Sequence, residues 1–236
     1  MNPSSYVDRL RDVPLMFDVG GEFQVDLSWV GRVVDHLSRL HRIPDELQTT
    51  GITCPPSDEP SFSRFVTATL AADWASYPNE SDQVDVMRLS RVLSYYPTGF
   101  CTYFTEIDEV SLPVGYYGFY PVSNTLHEQL TQGHVPTVVR QTLFPYVGQP
   151  HTGLYYVFNY SVAPAFVGTP LTRRLLSDLD AALKRVSPVA LCAMTVSAGG
   201  ERVARRFGMH PIGTITSGDK AETLFFGKVP QISSHK

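Results

Sequence analysis

Three cysteines in 236 residues, Cys54, Cys101 and Cys192, lie far apart and form no C-x-x-C pair. That leaves no disulfide framework and no zinc site to expect, and it suits a reducing compartment. Cys101 and Cys192 sit in apolar, strand-like runs, where a thiol reads as a small core residue rather than a nucleophile. An excess of positive charge is also missing. The chain has 19 Lys and Arg against 23 Asp and Glu, a formal net charge of −4. Without a basic field, nucleic acid is not an expected partner. No stretch reaches the ~18 apolar residues that span a bilayer, and Met1 to Leu10 lack the apolar run of a signal peptide. The expectation is a cytoplasmic protein with no membrane partner. Internal repeats and low-complexity runs are absent too. With 43% hydrophobic and 18% charged residues the composition is globular.

Aromatic residues are plentiful, with 12 Tyr and 13 Phe. Many fall on runs that read as strands, where they build core and sheet surface. Val30, Val33, Val34, Leu37 and Leu40 recur at helical spacing. Residues 48–60 hold Cys54-Pro55-Pro56 and Ser57-Asp58-Glu59-Pro60 and read as a loop. Phe62, Val66, Leu70 and Trp74 mark a helix that Pro78-Asn79 ends, and a second helix is expected over about 81–93.

After Pro97-Thr98-Gly99 the period changes to that of strands. A hairpin of 100–107 and 114–120 is expected. Residues 121–152 read as a long polar connection with four prolines and with His127, His134 and His151, the kind of loop that carries function. An aromatic strand over 154–162 follows. Thr169 as N-cap and Pro170 at the first helical position then open a helix with Leu171, Leu175, Leu179 and Leu183 on one face. A buried strand over 189–196, a short helix over 197–207, and strands over 211–216 and 223–229 complete the order.

Three local signals fall in that order at matching places. The first is Val162-Ala163-Pro164, then Val167-Gly168-Thr169-Pro170-Leu171-Thr172 and the pair Leu175-Leu176. The second is Ser197-x-x-Gly200-x-x-Val203-Ala204-x-x-Phe207-Gly208-Met209. The third is Pro211-Ile212-Gly213 before the last strand pair. Together they resemble the GNAT acyltransferase family, in which V-x-P, R/Q-x-x-G-x-G/A and N-x-x-A-x-x-L-Y-x-x-x-G-F occupy these places. The resemblance implies an α/β fold with a mixed, mostly antiparallel sheet flanked by helices. It covers residues 61–236, with residues 1–60 as an extension packed on that core.

A helix N-terminus presents unpaired N–H groups and about half a unit of positive charge, so a diphosphate is held well there. The turn from Val167 to Thr172 is such an end, and Arg173 and Arg174 follow it. The resemblance implies donor contacts at Val162, Val167, Gly168, Thr169, Leu171, Thr172, Arg173 and Ser197. Three departures weaken this cradle. Val167 replaces Arg or Gln, Pro170 replaces Gly and has no N–H, and Thr172 replaces Gly or Ala. Ala204 stands where the family often has a tyrosine acid. The strand before Val162 offers Tyr156, Phe158 and Tyr160 at alternate positions, of which Tyr156 is the best placed. The base is expected from the 121–152 connection, with His151 preferred to His127 and His134. Glu106 and Asp108 are further candidates.

The resemblance therefore implies transfer of an acyl group, normally acetyl, from acetyl-CoA or another acyl-CoA to a small-molecule amine. The departures keep two alternatives open. One is a donor held as acyl-phosphopantetheine on an acyl carrier protein. The other is a GNAT-like binding module without catalysis.

Overall fold

The computed structural model describes residues 25–40, 43, 48–58, 61–107, 109–134, 153–217 and 220–229. Among them seven strands form one sheet: β1 (Thr49–Thr53), β2 (Phe100–Ile107), β3 (Val110–Pro121), β4 (Leu154–Val162), β5 (Ala190–Thr195), β6 (His210–Ser217) and β7 (Lys220–Lys228). Their order is β1-β2-β3-β4-β5-β7-β6. The pairs β1–β2, β5–β7 and β6–β7 are antiparallel, and β4–β5 is parallel. The described α-helices are α1 (Leu27–Ser38), α2 (Ser61–Ser76), α3 (Val86–Tyr95), α4 (Asn124–Thr131), α5 (Pro170–Val186) and α6 (Ala198–Arg206). A parallel pair needs a crossover, and α5 supplies it between β4 and β5. This is the mixed, mostly antiparallel α/β architecture expected from the sequence. No helix among the described residues is long and apolar enough to cross a membrane.

The described residues fall into two compact units, one within Met1–Tyr117 and Tyr160–Asp178, the other within Gly118–Asn159 and Leu179–Lys236. In the first, α1 packs on α2. Asp26 caps α1 by accepting the Trp29 N–H at 2.9 Å, and Asp85 caps α3 by accepting the Arg88 N–H at 2.8 Å. Each cap satisfies a donor that the helix start leaves orphaned, worth ~1 kcal/mol. Phe62, Phe65, Val66 and Leu70 of α2 are buried. The Thr69 hydroxyl meets the Thr102 hydroxyl of β2 at 2.6 Å, so the polar atoms at this contact are satisfied.

In the second unit, Cys192, Phe225 and Phe226 lie in the core. A Cβ on Gly227 would stand 2.4 Å from the Gly208 carbonyl oxygen, so only glycine lets β7 pass beneath the end of α6. The cysteines behave as core residues: burial pushes Cys101 up to about 11 and raises Cys54 and Cys192 further.

Four elements differ from the sequence reading. Strand β3, expected over 114–120, begins already at Val110. Residues 49–53, expected in a loop, form β1, whose register runs from Thr49 opposite Thr105 to Thr53 opposite Cys101. Its side chains are mostly exposed and Gly51 interrupts the run, so no alternation marks it; the pairing with β2 makes it a strand. The expected helix over 81–93 begins only at Val86, where Asp85 caps it. Residues 124–131 of the long connection are helical, capped by Ser123 and burying Leu126 and Leu130 four apart.

Candidate functional site

Two hydrogen bonds set the pairing of β3 with β4. Val122 donates its N–H to the Leu154 carbonyl at 3.1 Å, and Ala163 to the Val114 carbonyl at 2.8 Å. Residues 114 to 122 advance by eight along β3, while 154 to 163 advance by nine along β4. Strand β4 therefore carries one extra residue, a β-bulge, a feature common beside active sites. At the Val122 end Tyr156 stands beside Tyr120, and their rings are 5.4 Å apart; Phe158 keeps the same face, 5.9 Å from Tyr120. At the Ala163 end the register sets Tyr160 beside Tyr117.

Gly115 of β3 is required at this point. A Cβ there would stand 2.6 Å from the Ser161 carbonyl oxygen and 3.2 Å from the Val162 Cα. Ser161 is buried, and its hydroxyl oxygen has no hydrogen-bond partner among the described residues.

The chain leaves β4 through a short 3-10 turn, Pro164–Phe166, into α5. Gly168 has φ +83°, a conformation other residues rarely take, and the space where its Cβ would stand is open. Several donors of this turn are satisfied inside it. The N–H of Val167 goes to the Pro164 carbonyl, that of Thr169 to Phe166, and that of Thr172 to Thr169, each at 3.2 Å. Gly168 donates its N–H to Thr172 Oγ1 at 3.2 Å. The Thr172 hydroxyl in turn donates to the Phe166 carbonyl at 3.1 Å, and the Thr169 hydroxyl donates to the same carbonyl at 2.7 Å. The Tyr160 hydroxyl donates to the Thr172 carbonyl at 2.7 Å, which ties the end of β4 to the first turn of α5.

The two arginines of α5 have different surroundings. Arg174 Nη1 donates to the Thr49 carbonyl at 2.7 Å and to Thr49 Oγ1 at 3.0 Å, and Nε lies 3.7 Å from Asp178. Asp178 also accepts the Tyr103 hydroxyl at 2.6 Å. Arg174 thus holds β1 against α5. Arg173 is exposed and makes no ion pair among the described residues.

In the other unit, the parallel register of β4 with β5 covers Leu154–Val157 and Ala190–Ala193, while β4 runs on to Val162 and β5 to Thr195. Ser197 caps α6 and accepts the Gly200 N–H at 3.1 Å. Thr195 is buried at the end of β5, against the first turn of α6, and its hydroxyl oxygen has no partner among the described residues. Ala204 is buried, so no proton donor stands at that place on α6.

Val162 ends β4; Val167, Gly168 and Thr169 lie in the connection; and Leu171, Thr172 and Arg173 open α5, with Val162 and Leu171 buried and Val167 exposed. Ser197 belongs to the other unit. Tyr156 is 3% exposed, with its ring in an aromatic cluster. His151 and Asp108 lie outside the described residues. The His127 ring lies 6.5 Å from that of Phe226, while His134 and Glu106 are exposed.

Sequence reasoning passed over Asp73, which is buried in α2. It accepts the Val84 N–H at 3.0 Å and the Tyr116 hydroxyl at 3.2 Å. Burial lifts its carboxyl to about 7, against the opposing pull of Val84, Tyr116 and Arg88. Its position on the buried part of α2, three residues after Leu70, was the available signal.

No protein-family model and no curated protein matches this sequence. Solved structures do. The loading GNATL domain of CurA from Lyngbya majuscula superposes with a TM-score of 0.55 at 13% identity, covering 77% of this chain and 98% of that one. Ard1 from Thermoplasma volcanium superposes with a TM-score of 0.51 at 9% identity, covering 78% and 99%. At such identities the likeness is one of fold.

Proposed function

We propose that this chain, which has the GNAT fold, is an acyltransferase that takes an acyl group, acetyl by preference, from a pantetheine thioester such as acetyl-CoA and gives it to the amine of a small molecule. The observation that carries this reading is the bulge of β4 directly before the turn into α5. An extra residue breaks the regular ladder and re-aims backbone groups. The peptide groups around Ser161 and Val162 are the proposed partners of the pantetheine amides, and the orphaned Ser161 hydroxyl fits a polar ligand there, since a buried hydroxyl left unsatisfied costs ~1–3 kcal/mol.

In the proposed reaction a neutral amine attacks the thioester carbonyl carbon. The C–N bond forms, the C–S bond breaks, the amine loses a proton and the leaving thiolate gains one. His151 is the proposed base. Tyr156 contributes to an aromatic wall with Tyr120 and Phe158. With Ala204 in place of an acid, the thiolate would take its proton from water.

The test has two parts. Native mass spectrometry of the purified protein should reveal retained CoA or pantetheine species, and incubation with acetyl-CoA and a panel of amines should yield an amide. His151→Ala should lose ~10²-fold or more in rate, together with the rise of rate with pH over about 6–8 that the wild type should show. A chain that neither retains a thioester nor acetylates any amine would overturn the reading in favour of a binding module. A second reading, an acyl group delivered by a carrier protein, is favoured by the likeness to a domain described as a loading domain.

A further inference from the structure

The proposed site contains a turn in which most donors already have acceptors. Of positions 167 to 172, the amides of Val167, Gly168, Thr169 and Thr172 bond inside the turn, and Pro170 has no N–H. At most one amide, that of Leu171, is left to give. Thr172 is central to this closure. Its oxygen accepts the Gly168 N–H while its hydrogen goes to the Phe166 carbonyl. The oxygen therefore stands where a phosphate oxygen would have to stand to take the same N–H. The Tyr160 hydroxyl holds the Thr172 carbonyl, so the residue is fixed from both its side chain and its main chain. Arg174, which could otherwise reach an anion at this end of α5, is tied to Thr49.

We propose that Thr172 is a specificity-determining residue that closes the phosphate cradle, so that the donor is recognised by its pantetheine arm and its phosphates add little. This inference rests on the acyltransferase reading and narrows it to a substrate class. The donor is an acyl-pantetheine thioester that needs no diphosphate contact, as on the arm of a carrier protein. A side chain with a hydroxyl at position 172 satisfies the Gly168 amide permanently. A glycine or alanine there would free that amide, and with it the close approach that charge-assisted hydrogen bonds to phosphate require.

The test compares three probes, S-acetyl-pantetheine, S-acetyl-4′-phosphopantetheine and acetyl-CoA, by calorimetry with wild type, Thr172→Ala, Thr172→Gly and Thr172→Ser. Wild type and Thr172→Ser should bind the three within about threefold of one another. Thr172→Ala and Thr172→Gly should gain about 10-fold or more for acetyl-CoA, with no gain for S-acetyl-pantetheine, which lacks phosphate. Two alanine and serine variants of near-native helix propensity keep the comparison valid if the glycine variant unfolds. A further arm offers the acetyl group on a holo carrier protein. Faster transfer from it than from free S-acetyl-4′-phosphopantetheine identifies the carrier as the source of the arm, and equal transfer identifies a free thioester; both agree with a closed cradle. Wild-type binding of acetyl-CoA 10-fold or more above S-acetyl-pantetheine, weakened by Thr172→Ala, would overturn the inference while leaving the acyltransferase reading intact. Failure of every thioester to bind any variant would overturn both.

Discussion

Tyr160 donates its hydroxyl hydrogen to the carbonyl of Thr172 at 2.7 Å, joining the last residues of β4 to the first turn of α5. In the proposed site this bond aligns the strand edge with the turn that follows it. Tyr160→Phe keeps the ring and deletes the bond. It should lower stability by ~1 kcal/mol in urea unfolding. In a transfer assay it should raise KM for the thioester and leave kcat within about threefold, because the hydroxyl touches no reacting atom. An unchanged KM would separate this bond from donor positioning.

Arg173 and Arg174 are neighbours in sequence with different tasks. Arg174 reaches Thr49 and lies near Asp178. Both partners of that ion pair are about half exposed, so Arg174→Ala should cost less than ~1 kcal/mol and should act on the docking of β1. Hydrogen exchange at residues 49–53 should speed up in that variant. Arg173→Glu should leave exchange unchanged and should slow transfer from an acidic carrier protein, with the difference shrinking at high salt.

The Asp73 carboxyl, lifted to about 7 by burial, makes stability depend on pH. Its folded-state value lies above the ordinary 3.8, so the folded state binds the proton more tightly than the unfolded one. The resulting stabilisation is complete below that ordinary value and is lost as pH rises through about 7. Asp73→Asn removes the titration and keeps an oxygen for the Val84 N–H. Against wild type, the variant should gain in relative Tm between pH 5 and pH 8 by at least ~2–4 °C. Parallel Tm profiles for the two proteins would remove Asp73 as the cause.

Gly115 allows β3 and β4 to approach where the bulge ends. A methyl group at that position would press on the Ser161 carbonyl, which is backbone and cannot swing aside. Gly115→Ala should destabilise the fold by ~1–3 kcal/mol in urea unfolding. Gly31→Ala is the control: no heavy atom lies within 4 Å of its added Cβ, and the helical position favours alanine, so stability should hold or rise.

The sequence by itself determined the order of the elements from α2 onward except α4, together with the bounds of β4, the apolar face of α5 and its opening at Pro170. These are local matters. Leucines at 171, 175, 179 and 183 lie on one helical face whatever else the chain does, and a proline suits the first helical position because its missing N–H is not needed there. The tertiary structure alone decided the rest. The strand state of β1 depends on a partner about 50 residues away, and a run with four exposed residues of five leaves no periodic trace. The extra residue of β4 shows only when β4 is counted against β3. Arg173 and Arg174 look alike in sequence, and only the arrival of Thr49 distinguishes them. The environment of Asp73 is assembled from α2, the segment before α3, and β3, so its raised carboxyl follows from burial among residues distant in the chain. Pairing register and burial are relations between segments, and no local pattern of residues encodes them.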